Sequence, residues 1–399
     1  MFTILKLIVL ILFILLLVRL KVNIALILFF LIIATGLIFG FKISEFKDSI
    51  IKAFKSYYTY ELLGIIIIIL FLEKIMDEKE ILKGIVNFFL YFKDKRWALI
   101  LPPAIIGLLP MPGGALVSAP AVKIASENFK ISPSEKTYIN FWFRHVWEYF
   151  WPFYPGLIVA SATLHVPIYK LMIYLFPLSI VSIISGLSFT IPILKEKKKN
   201  GNGKIDIKAL YPLLPIGIII ILTILKINFL ISLLTGIIIT LFITKTCFKE
   251  VPKIFYKSLN LTIIFLVIFI MIYREIIITA SIFERIQKEI YLSNVLNYLI
   301  ITFISFIMGF LTGINQIYAG VAFPMLASSF KGNIDYAWVM LVYTFGFSGV
   351  LLTPAHLCLS LTKEYFKGEW KEIYKRLLPT ILPVILFSIF YFFILNKFK

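Results

Sequence analysis

The chain has 399 residues, 60% of them hydrophobic, and a formal net charge of +19 from 40 Lys+Arg against 21 Asp+Glu. A soluble protein of this size cannot hide so much apolar surface, and many runs approach or exceed the roughly 20 residues that span about 30 Å of hydrocarbon. Composition therefore points to a polytopic, multi-pass protein of the cell membrane and away from a soluble domain or a nucleic-acid binder; the lysines crowd short loops, where they set orientation and meet anionic lipid of the bilayer.

The two cysteines, Cys247 and Cys358, show neither metal spacing nor a disulfide framework, and three histidines cannot build a zinc centre without carboxylate help. No cofactor and no metal are expected. Nor is an enzyme: a metalloprotease His-Glu-x-x-His, a P-loop, a dinucleotide fingerprint and a Gly-x-Ser-x-Gly elbow are all missing from the sequence.

In chain order, residues 3–20 and 22–41 read as two spans joined by a tight turn at Arg19-Leu20-Lys21. The first is a retained span and not a signal peptide, because no small-residue cleavage site follows it. Residues 43–56 carry Ile43, Phe46, Ile50, Ile51 and Phe54 among lysines, the spacing of an amphipathic helix lying in the interface. A third span covers 57–75, and 77–96 is amphipathic and dense in charge. Residues 97–126 are apolar but interrupted by Pro110-Met111-Pro112-Gly113-Gly114. Each arm is about 13–14 residues, or roughly 20 Å of helix, so a re-entrant hairpin with its tip near mid-membrane is expected. Residues 137–165 cross with a break at Trp151 to Gly156, and 167–193 form a span bent near Pro177. The polar run Lys195 to Lys204 is a flexible basic linker and the natural midpoint.

The second half repeats the plan, with spans at 208–226 and 228–244, an amphipathic stretch at 246–257, a span at 258–274 and a polar connector at 275–290. A second hairpin is expected over 292–329 with its tip at Thr312 to Gln316. A second broken helix covers 336–362, interrupted at Leu352 to His356, and a last span covers 377–396. Gly113 and Gly313 lie 200 residues apart, and Pro155 and Pro354 lie 199 apart. The expected fold is all-α: about ten transmembrane helices plus two re-entrant hairpins in two repeats, 1–199 and 200–399, forming one membrane domain. Five crossings per half is an odd number, so the repeats are inverted, an architecture that alternating access uses. A cytoplasmic linker then puts both termini outside.

At each break a half-helix begins, with unpartnered N–H groups and the positive end of its dipole. Gly113-Gly114, Pro155-Gly156, Asn315-Gln316 and Pro354-Ala355 are expected to open four such half-helices, and N-termini converging at mid-depth make an anion site. The expected substrate-binding residues are Gly113, Gly114, Ser118, Thr312, Gly313, Asn315, Gln316, Thr353 and His356. Asn315 and Gln316 are costly in hydrocarbon unless they find partners or water; helix–helix contact would also satisfy them. Arg144 and Glu148, spaced i,i+4, can pair on one helix face. With His145 they read either as a structural ion pair or as a coupling group that carries a proton.

A half made of three spans, a hairpin, a broken helix and a final span, then inverted, resembles the ion-transporter superfamily, which includes gluconate, dicarboxylate and citrate permeases. Leu109 to Pro120 and Gly349 to Ser360 resemble an uncharacterised integral membrane family of that superfamily. In place of the Ser-Asn-Thr hairpin signatures of sodium-coupled dicarboxylate carriers stand Met111-Pro112-Gly113-Gly114 and Gly313-Ile314-Asn315-Gln316. The expected function is ion-coupled secondary transport of a small organic anion with protons or sodium. The alternative is an inorganic-ion exporter or channel on the same scaffold, and a homodimer is among the assemblies open to it.

Overall fold

The computed structural model describes residues 2–81, 88, 94–111, 113–127, 129–194, 211, 213–290, 294–330 and 333–397, and the regular elements among them are all helices. In the first half these are α1 (Phe2–Arg19), α2 (Ile24–Phe39), α3 (Ile43–Lys55), α4 (Tyr57–Glu78), α5 (Lys95–Ile106), α6 (Ala115–Ser126), α7 (Pro133–His145), α8 (Pro155–Leu164) and α9 (Ile168–Thr190). The second half has α10 (Leu214–Ile224), α11 (Phe229–Ile243), α12 (Val251–Ser258), α13 (Leu261–Thr279), α14 (Ile282–Ile290), α15 (Asn294–Thr312), α16 (Asn315–Ser329), α17 (Tyr336–Leu352), α18 (Leu357–Phe366) and α19 (Trp370–Lys397). The expected linker at 195–204, Pro112 and most of the amphipathic stretch 77–96 lie outside the described residues.

Six described segments are long and apolar enough to cross a membrane: Phe2–Arg19, Ile168–Ile193, Leu261–Ile286, Val295–Thr312, Tyr336–Phe366 and Trp370–Lys397. The chain is a helical protein of multi-pass membrane type. Two expected spans are shorter than their apolar runs. The run 22–41 gives the 16 residues of α2, because Asn23 accepts a hydrogen bond from the Ala25 N–H at one end and Gly40 turns left-handed at the other (φ 78°). The run 208–226 gives the 11 residues of α10, residues 208–210 and 212 lying outside the described ones. The second amphipathic stretch is confined to α12, and the connector 275–290 is split, α13 running on to Thr279 before Ser281 turns the chain (φ 49°) into α14.

Capping fixes where the site-bearing helices begin. Ser132 and Glu135 form a reciprocal capping box at α7, and the Asp335 carboxylate accepts from Ala337 and Trp338 at α17. The helices then pack in matched pairs. α2 lies on α13 and α11 on α4; α3 lies on α13 and α12 on α4; α5 lies on α7 and α15 on α17. In the last pair Gly309 faces Gly346, and a Cβ on Gly309 would overlap the Gly346 carbonyl, so the two backbones approach as small residues allow between membrane helices. Each half also holds part of the other: α16 packs on α8, and α6 on α18. At one end of the molecule Lys257 reaches Glu78 (2.9 Å) and Lys79 reaches Glu250 (2.8 Å). The hydrogen bonds from these ammonium groups hold both carboxyls below the ordinary carboxylate range.

Candidate functional site

The first hairpin has to turn round inside apolar surroundings, where every carbonyl released from a helix needs a donor. The side-chain donors come from one stretch, 144–154, and add to backbone N–H groups such as Leu109 on Ile106 O and Gly114 on Met111 O. Arg144 donates to Ile106 O (3.2 Å) and Met111 O (2.7 Å), Trp147 Nε1 to Ala104 O (2.8 Å), Trp151 Nε1 to Leu108 O (2.8 Å) and Tyr154 Oη to Gly107 O (2.5 Å). The second hairpin is tied to its own break in the same manner, His356 Nδ1 lying 2.8 Å from Gly313 O. Tyr343 Oη caps Glu148 O (2.9 Å), and Tyr374 Oη caps Leu352 O (2.8 Å) at the end of α17. Both tips turn on a left-handed glycine, Gly113 (φ 69°) and Gly313 (φ 67°).

These ties correct the expected place of Arg144. α7 ends at His145, so Glu148 falls in the turns that follow and the i,i+4 face never forms. Arg144 makes no ion pair with Glu148 among the described residues; its guanidinium serves carbonyls, and its Nε is buried without a protein partner. Glu148 instead lies 3.5 Å from His145 Nε2 and accepts a hydrogen bond of 2.6 Å from Asn315 Nδ2. The break in 137–165 thus opens at 146, five residues ahead of Trp151.

Three of the four expected half-helix starts stand where glycine, proline and Asn-Gln put them: α6 after Gly114, α8 at Pro155 and α16 at Asn315. The fourth does not. The Thr353 hydroxyl accepts from the Ala355 N–H (3.1 Å), holding a turn, and α18 begins only at Leu357 with His356 as its N-cap.

Both hairpin tips and both breaks meet at a cavity of about 290 Å³. Of the expected substrate residues, Gly113, Thr312, Gly313, Asn315, Gln316 and His356 line it, together with Arg144, His145 and Glu148. Gly114, Ser118 and Thr353 do not line it. Gly114 packs against the Arg144 guanidinium. Ser118 donates to Asn140 Oδ1 (2.7 Å) in the core, a tie between α6 and α7. Thr353 is buried and spent on the turn.

His145 and His356 come from opposite halves, and their Nε2 atoms are 3.0 Å apart. The Cys358 thiol joins them: one ligand atom from each of the three lies within 4.8 Å of the others. Spacing along the chain could not show this, since His145 and His356 are separated by 211 residues.

A family described as "Protein of unknown function (DUF401)" matches residues 2–394. The chain belongs to that family. Comparison with curated proteins gives no match.

Two residues that line the cavity were not among the expected site residues of this DUF401 sequence. Tyr154 and Cys358 both line the cavity, but an isolated Tyr beside prolines or a lone Cys carries no local signal.

Proposed function

We propose that the protein is a secondary active transporter of a small organic anion, ion-coupled and working by alternating access in the cell membrane, as a member of the ion-transporter superfamily. The observation that carries the reading is the cavity itself. Four interruptions of membrane helices meet around about 290 Å³, close to the lower bound of roughly 300 Å³ for small-molecule sites. Its wall offers an arginine, two histidines, the amide of Asn315 and the N-terminus of α16. Positive charge and open N–H groups suit a carboxylate. The Asn315 carbonyl oxygen is buried without a protein partner, which leaves room for a hydroxyl or a water on the same ligand.

Ten crossings in two inverted repeats, 1–199 and 200–399, are part of the proposal. The exchange of partners supports it: several contacts between the halves come together with their counterparts, α16 on α8 with α6 on α18, α2 on α13 with α11 on α4, and α3 on α13 with α12 on α4. A two-fold relation generates such a list. Coupling is assigned to the run Glu148, His145 and His356, whose members stand 3.5 Å and 3.0 Å apart and can hand on a proton.

The test is uptake into proteoliposomes from a panel of carboxylates and inorganic anions, with a pH or a sodium gradient. Saturable uptake of a carboxylate driven by one gradient, and lost in the Asn315→Ala, His356→Ala double variant, is the expected result. Unchanged uptake in that variant overturns the site. Unsaturable current without countertransport overturns alternating access and selects the channel.

A further inference from the structure

We propose that His145, His356 and Cys358 form a binding site for one borderline or soft transition-metal cation, of the Zn²⁺ class, with Glu148 at its margin. The hydrogen bonds around the two imidazoles lead there. His145 Nδ1 lies 2.5 Å from Phe141 O and His356 Nδ1 lies 2.8 Å from Gly313 O. A carbonyl only accepts, so each Nδ1 carries a hydrogen, and in the neutral ring each Nε2 then presents a lone pair. The two Nε2 atoms nevertheless face one another at 3.0 Å. Two neutral rings in that arrangement repel, and a cation between them turns the repulsion into two bonds.

The dimensions suit a metal. Zinc–imidazole bonds of about 2.0–2.1 Å at a tetrahedral angle place two nitrogens roughly 3.3–3.4 Å apart, a few tenths of an ångström beyond the distance here. The Cys358 sulfur completes a set lying within 4.8 Å. Two nitrogens and a sulfur favour zinc or its soft neighbours over sodium, magnesium or calcium, which take oxygen. A histidine that ligates a metal usually donates its other N–H to a carboxylate or a backbone carbonyl, which fixes the ring; both rings here already do so. Three protein ligands leave a fourth position, and all three residues line the cavity. Binding releases the thiol proton and ties α7 of the first half to the break before α18 in the second.

The experiment uses the full-length protein, purified in detergent and stripped with chelator, titrated with Co²⁺ and then with Zn²⁺. One saturable equivalent of Co²⁺ is expected, with tetrahedral d–d bands and a sulfur-to-cobalt charge-transfer band that Zn²⁺ displaces. Cys358→Ser, nearly the same size, should abolish the charge-transfer band while eluting as a folded protein. Cys247→Ser should leave it unchanged. His145→Gln and His356→Gln should each weaken metal binding at least as much as the roughly 10–100-fold that loss of an outer partner costs. Absence of saturable Co²⁺ binding in the unmodified protein overturns the site and leaves a proton shared by the imidazoles as the cause of their approach. A charge-transfer band that survives in Cys358→Ser also overturns it. Neither readout involves flux, so the metal site and the transport reading fail separately.

Discussion

Arg144 donates to Ile106 O at the end of α5 and to Met111 O in the hairpin tip, each of which also accepts one backbone N–H, from Leu109 and Gly114. The planar fork of a guanidinium reaches both at once; an ammonium on a flexible stem is a single point of donation. Arg144→Lys therefore keeps the charge and loses at least one of the two bonds. Each carbonyl keeps its backbone donor, so the loss is that of a hydrogen bond from a charged group, about 1.5–3 kcal/mol, and the variant should melt at a correspondingly lower temperature in detergent. An unchanged melting temperature would mean that water or a neighbour replaces the arginine, and that the hairpin does not depend on it. The residue was legible as a buried charge but not in its role. The sequence places Glu148 four residues on, which invites an ion pair; the pair is lost because Tyr343 and the Trp147–Tyr154 stretch draw residues 146–154 out of the helix toward partners far along the chain.

At the scale of elements, the starts of α6, α8 and α16 were readable because glycine, proline and Asn-Gln act locally, on their own φ angles and N–H groups. The start of α18 was not, because a threonine hydroxyl outweighs the proline beside it. The meeting of the two histidines was hidden for a different reason: it depends on how the halves dock. The two tip glycines look alike in sequence and in φ, yet their surroundings differ. A Cβ on Gly113 would find only Leu361 Cδ1, at 3.4 Å, whereas a Cβ on Gly313 would lie 2.7 Å from His356 N and 2.9 Å from His356 Cα. Gly113→Ala thus meets the left-handed penalty alone, about 1–2 kcal/mol. Gly313→Ala must also push back the backbone that carries His356. Thermal melting should show a loss clearly larger at 313 than at 113, and an anion that raises the melting temperature of the parent should cease to do so only in Gly313→Ala. Equal losses at both positions would show that the second tip yields freely, and that His356 is not held by it.

For the whole molecule, a transporter of the proposed kind must open the same cavity to each side in turn, and the chain carries its own reporter. Cys358 is 6% exposed and lines the cavity, while Cys247 is exposed. With Cys247→Ser as background and chelator present, Cys358 becomes the one thiol through which a membrane-impermeant maleimide can report. In proteoliposomes the reagent is supplied from one side at a time. Alternating access requires that Cys358 react from both sides, slowly, since each open state is a fraction of the ensemble. An anion that binds better to one state must raise the rate from that side and lower it from the other, and the size of the shift is bounded by its differential affinity for the two states. The docking of α16 on α8 and of α6 on α18 makes these two contacts the surfaces that have to slide or part as access changes. Reaction from one side only, whatever anion or gradient is present, would mean that the cavity is a closed-ended pocket, and rocking of the two halves would have to be abandoned.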